Sequence, residues 1–454
     1  MYYHGTALAP AAQIRYTVSM DSLSVRASAL FSHIPAPPGQ TAVHRYTAPE
    51  VLMDSKSLVL RFDCLVIFRA LQQDPTIRAF ADMLRAEGDD FARAEAAFVS
   101  RLYQRGESWT RYLYRAMMES DNICVRRYYT HSLAPGIHGT LRGELAFLQC
   151  LGELTTSQLL QEKSHGHSSR WPFLAFWDTE DLNFTEDYLK RLEEVPRRGY
   201  GIFARWHVFT VEADAQGHAR LAPVRYPDPQ RLCELPGYER EREKVVQNTK
   251  ALLEGLPAAN VLLYGDAGTG KSSTVKAIAN EFAGEGLRLI EVRKNQLFQI
   301  PELLDTLAQN PLKFILFIDD LSFSGSDDNF AALKAILEGS VAGRARNIAV
   351  YATSNRRHLL RESFSAREGD DVHAADTRQE QMSLAARFGL TVTFSRPEKE
   401  RYALIVSALA EQHGVQMPHD ELIRRAEAFA IRAGGRSPRV ARQFIEQLEA
   451  GVQS

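Results

Sequence analysis

Two hydrophobic periods divide the chain. From about residue 49 to 162 apolar positions recur three and four apart: Phe91, Ala94, Phe98 and Leu102 mark one face of one segment, and Leu141, Leu145, Leu148 and Leu151 that of another. This is the spacing of amphipathic helices sharing a core. Further on, short apolar runs at 261–264, 287–292, 314–318, 348–353 and 390–394 alternate with helical stretches. Strands that alternate with helices predict a parallel sheet covered on both faces. The central runs are continuously apolar, whereas Leu390, Val392 and Phe394 alternate with threonines as an edge strand does.

Between the two regimes, residues 200–226 hold two β-rich runs around Asp214-Ala215-Gln216-Gly217, a hairpin signal. Pro227-Asp228-Pro229 then reads as a linker, each proline pushing its predecessor toward extended geometry. The pattern predicts a poorly ordered arm over 1–48, with Met20 as a second candidate start, and a mainly helical domain over 49–198. A hairpin and linker over 199–230, an α/β core over 231–396 and a helical lid over 397–454 complete the expected organisation.

Composition narrows the class. The 54 Lys and Arg nearly balance 56 Asp and Glu, so net charge demands neither nucleic acid nor an anionic membrane. Apolar runs such as Leu65-Val66-Ile67-Phe68 fall far short of the ~20 residues of a membrane span. Cys64, Cys124, Cys150 and Cys233 are widely spaced without a CxxC pair, and no basic segment followed by a hydrophobic core opens the chain. A reducing, cytoplasmic setting is therefore expected.

The sharpest chemistry follows the first strand of the second half. Gly265-Asp266-Ala267-Gly268-Thr269-Gly270-Lys271-Ser272, continued by Ser273, has the GxxxxGK[ST] form between a strand and a helix. Glycines let successive N–H groups turn inward toward phosphate oxygens, Lys271 brings a mobile charge, and Ser272 offers a hydroxyl to Mg²⁺. The run 314–318 ends in Asp319-Asp320, the form of a Walker B motif: the first carboxylate suits the metal and the second the attacking water. Asn355 closes the next strand, where an amide can orient that water or sense the γ-phosphate. Arg387 precedes the last strand and can reach a neighbouring subunit's nucleotide. Gly434-Gly435-Arg436-Ser437-Pro438-Arg439 offers two cations, of which Arg436 is the preferred γ-phosphate ligand.

Together these residues resemble the AAA+ ATPases over residues 235–448. Pro236-Gly237-Tyr238-Glu239, Asp319-Asp320-Leu321-Ser322-Phe323, Ala352-Thr353-Ser354-Asn355-Arg356-Arg357-His358-Leu359 and Ala441-Arg442-Gln443-Phe444-Ile445 are similar to a bacterial AAA+ family described only as ATP-binding protein. The resemblance implies an αβα sandwich with a five-stranded parallel sheet of order 5-1-4-3-2 and a helical lid. It also implies a ring or partial ring of identical subunits, with Gly237 and Tyr238 near the adenine. The expected cofactors are ATP and Mg²⁺, and the expected activity is ATP hydrolysis that remodels a macromolecular partner bound by the helical domain.

Asp320 departs from that pattern, standing where most AAA+ motors carry Glu, with a shorter reach to water. The loop Lys294-Asn295-Gln296-Leu297-Phe298-Gln299 lacks the aromatic-hydrophobic-Gly signature of polypeptide-threading motors. Arginines interleave with aromatics over 109–131, a pattern that binds nucleic acid strands but equally suits a helix burying its tyrosines. A protein partner is favoured over DNA. The alternative is an ATP-dependent binding switch or loader on DNA or a replication or repair complex, with slow hydrolysis.

Overall fold

The computed structural model describes residues 54–128, 134–164, 171–214, 216–321, 328–338, 345–355 and 387–451. The expected N-terminal arm and the stretch between Asn355 and Arg387 lie outside them.

Helices build the first half: Ser55–Asp63 (α1), Pro75–Arg85 (α2), Asp89–Tyr103 (α3), Trp109–Glu119 (α4), Ile123–Tyr128 (α5), Pro135–Gly152 (α6), Thr156–Lys163 (α7), Phe184–Glu193 (α8), Val195–Arg198 (α9) and Ile202–Arg205 (α10). Side chains start several of them. Asp74 accepts from the amides of Thr76 and Ile77 with Pro75 at the first helical position, Ser108 caps α4, and Thr155 with Gln158 forms a capping box for α7. Their core is aromatic, with Trp109 stacked on Phe80 at 4.1 Å and edge-on to Phe98 at 5.2 Å.

The second half is a sheet of Val208–Ala213 (β1), Ala219–Pro223 (β2), Val261–Gly265 (β3), Leu287–Glu291 (β4), Lys313–Ile318 (β5), Ile348–Asn355 (β6) and Leu390–Phe394 (β7), in the order β2-β1-β4-β5-β6-β3-β7. Helices Glu239–Leu253 (α11), Lys271–Glu281 (α12), Ile300–Ala308 (α13) and Asp328–Glu338 (α14) intervene, and Lys399–Gln412 (α15), His419–Arg432 (α16) and Pro438–Glu449 (α17) form the C-terminal bundle.

The five-stranded sheet expected from the sequence is corrected to seven strands. The hairpin does not stand apart. Its first strand runs parallel to β4, with Val208 opposite Leu289, and its second is antiparallel to the first. Phe209 and Val211 are buried by this pairing, which converts an open edge of β4 into sheet interior.

Alternating residues feed two cores. Leu263, Ile315 and Phe317 face a core with Val275 and Ile278 of α12 and with Tyr402, Ile405 and Phe444 of the bundle. Leu262, Phe314 and Leu316 face the other, with Ile300 and Leu307 of α13. Arg288 on β4 ties the helical half to the sheet. Buried, it donates to the carbonyls of Arg198, Phe203, Ala283 and Leu287, and the loss of hydration pushes its guanidinium down to about 10. The described residues belong to one compact unit beginning at Asp54. Among them no helix is long and apolar enough to cross a membrane.

Candidate active site

The phosphate loop takes its shape from where β3 must stop. Gly265 has φ 144°, and a Cβ there would sit 2.0 Å from the Phe394 carbonyl of neighbouring β7. Only glycine fits. Gly268, at φ 76°, lies against the bundle: a Cβ would stand 3.0 Å from Ser437 Oγ, and the Arg439 amide donates to its carbonyl at 3.2 Å. Loop and lid therefore already touch at the first turn of α17.

Lys271 opens α12 and is buried, with Nζ donating to the carbonyls of Gly265 at 3.0 Å and Asp266 at 2.7 Å and to Asn355 Oδ1 at 3.0 Å. Burial pulls its pKa below the usual lysine value, opposed by the carboxylates of Asp266, Asp319 and Asp320. An arriving phosphate can exchange for those neutral carbonyls, which makes the ammonium a charge held in reserve.

Two short chains of hydrogen bonds meet beside it. Ser272 Oγ donates to Asp319 Oδ1 at 2.6 Å, and Thr353 Oγ1 donates to the same oxygen at 2.6 Å. The Asp320 amide donates to Thr353 Oγ1 at 2.9 Å, while Asn355 Nδ2 donates to Asp320 Oδ1 at 2.8 Å. A hydroxyl and a carboxylate oxygen at this separation form the hard donor pair that suits Mg²⁺, whose remaining positions go to water and phosphate. Ser272 and Asp319 fit that ion.

These groups line one cleft of about 500 Å³. Residues 267–273, Asp319, Asp320, Thr353 and Asn355 give it polar walls, and Leu235, Pro236, Tyr238 and Leu409 add an apolar one. Tyr238 packs on Phe394 with ring centroids 5.4 Å apart and donates from its hydroxyl to the Ser395 carbonyl at 2.6 Å. Burial raises that phenol to about 12. Arg242 grips the carbonyls of Leu235 and Gly237 and so fixes the strap that carries the apolar lining residues Leu235, Pro236 and Tyr238. Among the described residues, the non-glycine positions with positive φ are Tyr238 at 62° and Asp320 at 53°. Both lie on the cleft, where strained backbone tends to collect.

The predicted site residues divide. The loop from Ala267 to Ser273, Tyr238, Asp319, Asp320, Asn355 and Arg439 come together on the cleft. Gly265 and Asp266 stand behind it; Asp266 Oδ2 accepts from the Arg396 amide at 2.9 Å. Gly237 contributes through the strap, its carbonyl taken by Arg242. Arg387 is outside the lining. Arg436, preferred from the sequence, is outside it too, paired with Glu427 through Nη2 at 2.8 Å and Nε at 2.9 Å. The cations on the cleft wall of α17 are Arg439 and Arg442.

Sequence reasoning assigned no role to Gln230, Arg242, Thr353 or Arg442. Two of these carry a signal in hindsight: Thr353 precedes Asn355 by one strand period, and Arg442 follows Arg439 by one helical turn, so each pair shares a face.

Fold and site define an α/β phosphate-loop protein with a helical lid closing on the loop. The chain belongs to the family described as Protein of unknown function (DUF815), whose model matches residues 204–452. That stretch starts ahead of β1, so the hairpin falls inside it. No curated protein matches the chain. Among solved structures, the chain is similar to the Thermotoga maritima RuvB Holliday junction branch migration motor, at 16% identity and TM-score 0.34, over 49% of this chain and 65% of that one. A threonine-to-valine variant of the same protein gives 17% identity, TM-score 0.35 and the same coverages of 49% and 65%. The chain thus spans less than two thirds of these proteins, and likeness at this level adds nothing to the site described above.

Proposed function

We propose that the protein is an ATPase of the AAA+ class that binds Mg-ATP in this cleft and hydrolyses it to ADP and phosphate. The observation that carries the reading is the meeting of Ser272 Oγ with Asp319 Oδ1 at 2.6 Å beside a buried Lys271. A hydroxyl, a carboxylate and a reserved ammonium at the mouth of a glycine loop suit a metal-bound polyphosphate and little else.

In this reading the loop amides and Lys271 take the β- and γ-phosphates, and Arg439 and Arg442 approach from the lid in place of Arg436. Bound Mg²⁺ would draw charge from the phosphate oxygens. Asp320, held by Asn355, takes a proton from the water as that water attacks the γ-phosphorus and the bond to the ADP oxygen breaks. The apolar wall at Tyr238 and Leu409 receives the base.

Arg387 stands outside its own cleft, which supports its acting on the site of a neighbouring copy in a homo-oligomer. The helical half is proposed to hold the macromolecular partner, a protein in preference to DNA. Among its described residues, three arginines are turned onto nearby carboxylates: Arg111 pairs with Glu180, Arg115 with Glu107 and Arg126 with Asp121. Cations paired in this way are less available to a phosphate backbone. A slow binding switch is the second reading, favoured by one feature: Asn355 occupies the Asp320 oxygen that would otherwise face water.

Calorimetric titration of ATP with Mg²⁺ into the full chain tests the binding step. The wild type should bind and Lys271→Ala should lose binding; equal affinity in both would sink the assignment.

A further inference from the structure

The strand-to-core linker is part of the site. Gln230, in the segment that leaves the hairpin, is buried on the cleft wall. With its amide oriented to satisfy both neighbours, its oxygen accepts from Arg442 Nη1 at 2.8 Å and from Nη2, and its nitrogen donates to Ser273 Oγ at 3.3 Å. One uncharged side chain thus joins the lid helix α17 to the helix that follows the phosphate loop.

The linker backbone is anchored just as firmly. Asn280 of α12 donates to the carbonyls of Asp228 at 2.7 Å and Gln230 at 2.9 Å, and its Oδ1 meets His207 Nε2 at 2.9 Å, one residue ahead of β1. The His207 carbonyl in turn accepts from the Leu289 amide of β4 at 2.8 Å. Hairpin, linker, phosphate-loop helix and lid meet at this point.

An unrestrained arginine loses substantial rotamer freedom when it docks on an anion, and a fixed acceptor that takes both of its Nη groups removes that loss beforehand. A neutral amide does this without cancelling the positive charge, which a carboxylate partner such as Glu427 does for Arg436. We infer that Gln230 is a positioning residue that holds the Arg442 guanidinium at the phosphate end of the cleft, so that the linker from the hairpin forms one wall of the nucleotide site. The inference rests on the proposed ATP site.

A double-mutant cycle on the full chain tests it, reading the dissociation constant for Mg-ATP by calorimetry and the KM and kcat of hydrolysis. Gln230→Ala should weaken ATP about tenfold, the scale of one hydrogen bond to a charged group, and raise KM more than it lowers kcat. Arg442→Ala should weaken it at least as much, and the double variant should be no weaker than Arg442→Ala alone, because Gln230 acts through that arginine. Gln230→Leu, similar in bulk, should behave as the alanine variant does, which separates lost hydrogen bonds from lost packing. Additive losses, or wild-type affinity in Gln230→Leu, would overturn the inference while leaving the ATP site standing. A wild type that binds no ATP would remove both.

Discussion

Thr353 donates its hydroxyl to Asp319 Oδ1 at 2.6 Å, and the same hydroxyl oxygen accepts from the backbone amide of Asp320 at 2.9 Å. One buried side chain therefore orients the proposed metal ligand and the proposed base together. Groups behind metal ligands typically matter 10–100-fold in affinity or activity. Thr353→Val should lower turnover by roughly that range and raise the Mg²⁺ concentration needed for half-maximal ATP binding, whereas Thr353→Ser should restore both. An unchanged Mg²⁺ dependence in the valine variant would show that Asp319 needs no such support.

The lid cations make opposite predictions. Arg439 lies on the cleft, and Arg436 is committed to Glu427. Arg439→Ala should weaken ATP about tenfold or more, the scale of a lost charge-assisted contact. Arg436→Ala should stay within about twofold, because its guanidinium is held by Glu427 outside the cleft lining. Titrations of the two variants side by side decide between them, and the reverse order would reinstate Arg436.

Glu95 links pH to stability far from the cleft. It sits on α3 at 1% exposure, its Oε1 has no hydrogen-bond partner among the described residues, and burial lifts its carboxyl from 4.5 to about 7. The folded chain then holds the proton more tightly than the unfolded chain. Its contribution is greatest below the unfolded value and is lost as pH rises from about 4.5 through about 7. Glu95→Gln removes the titration, so its stability relative to wild type should rise between pH 5 and pH 8 by about 1–3 kcal/mol, at about 1.4 kcal/mol for each tenfold difference in proton affinity between the folded and unfolded chain. Denaturant midpoints that fall in parallel for both proteins would contradict this.

What the sequence revealed is local in origin. The glycine loop, the strand-ending carboxylates and Asn355 are legible because each motif dictates its own backbone within a few residues. The place of the hairpin was not, since the alternation of Phe209 and Val211 says that a face is buried without saying that β4 buries it. Which of Arg436 and Arg439 faces the cleft was not legible either, for a related reason. Arg436 stands just ahead of α17, three residues before Arg439 on that helix, and the choice between them depends on Glu427, on the preceding helix α16, turning onto one and not the other. Gln230 lies in a proline-flanked stretch that looks like a plain connector, and its partners Arg442 and Ser273 come from helices remote in sequence.

ATP hydrolysis at sites shared between subunits is tested most directly by the rate of phosphate release per protomer with ATP and Mg²⁺, followed as protein concentration rises across the micromolar range. Turnover should require Mg²⁺, increase with concentration and disappear in Lys271→Ala, while Arg387→Ala should retain ATP binding but lose that increase. No Mg²⁺-dependent phosphate release at any concentration would contradict the ATPase assignment, and a rate per protomer independent of concentration and of Arg387 would contradict sites completed between subunits.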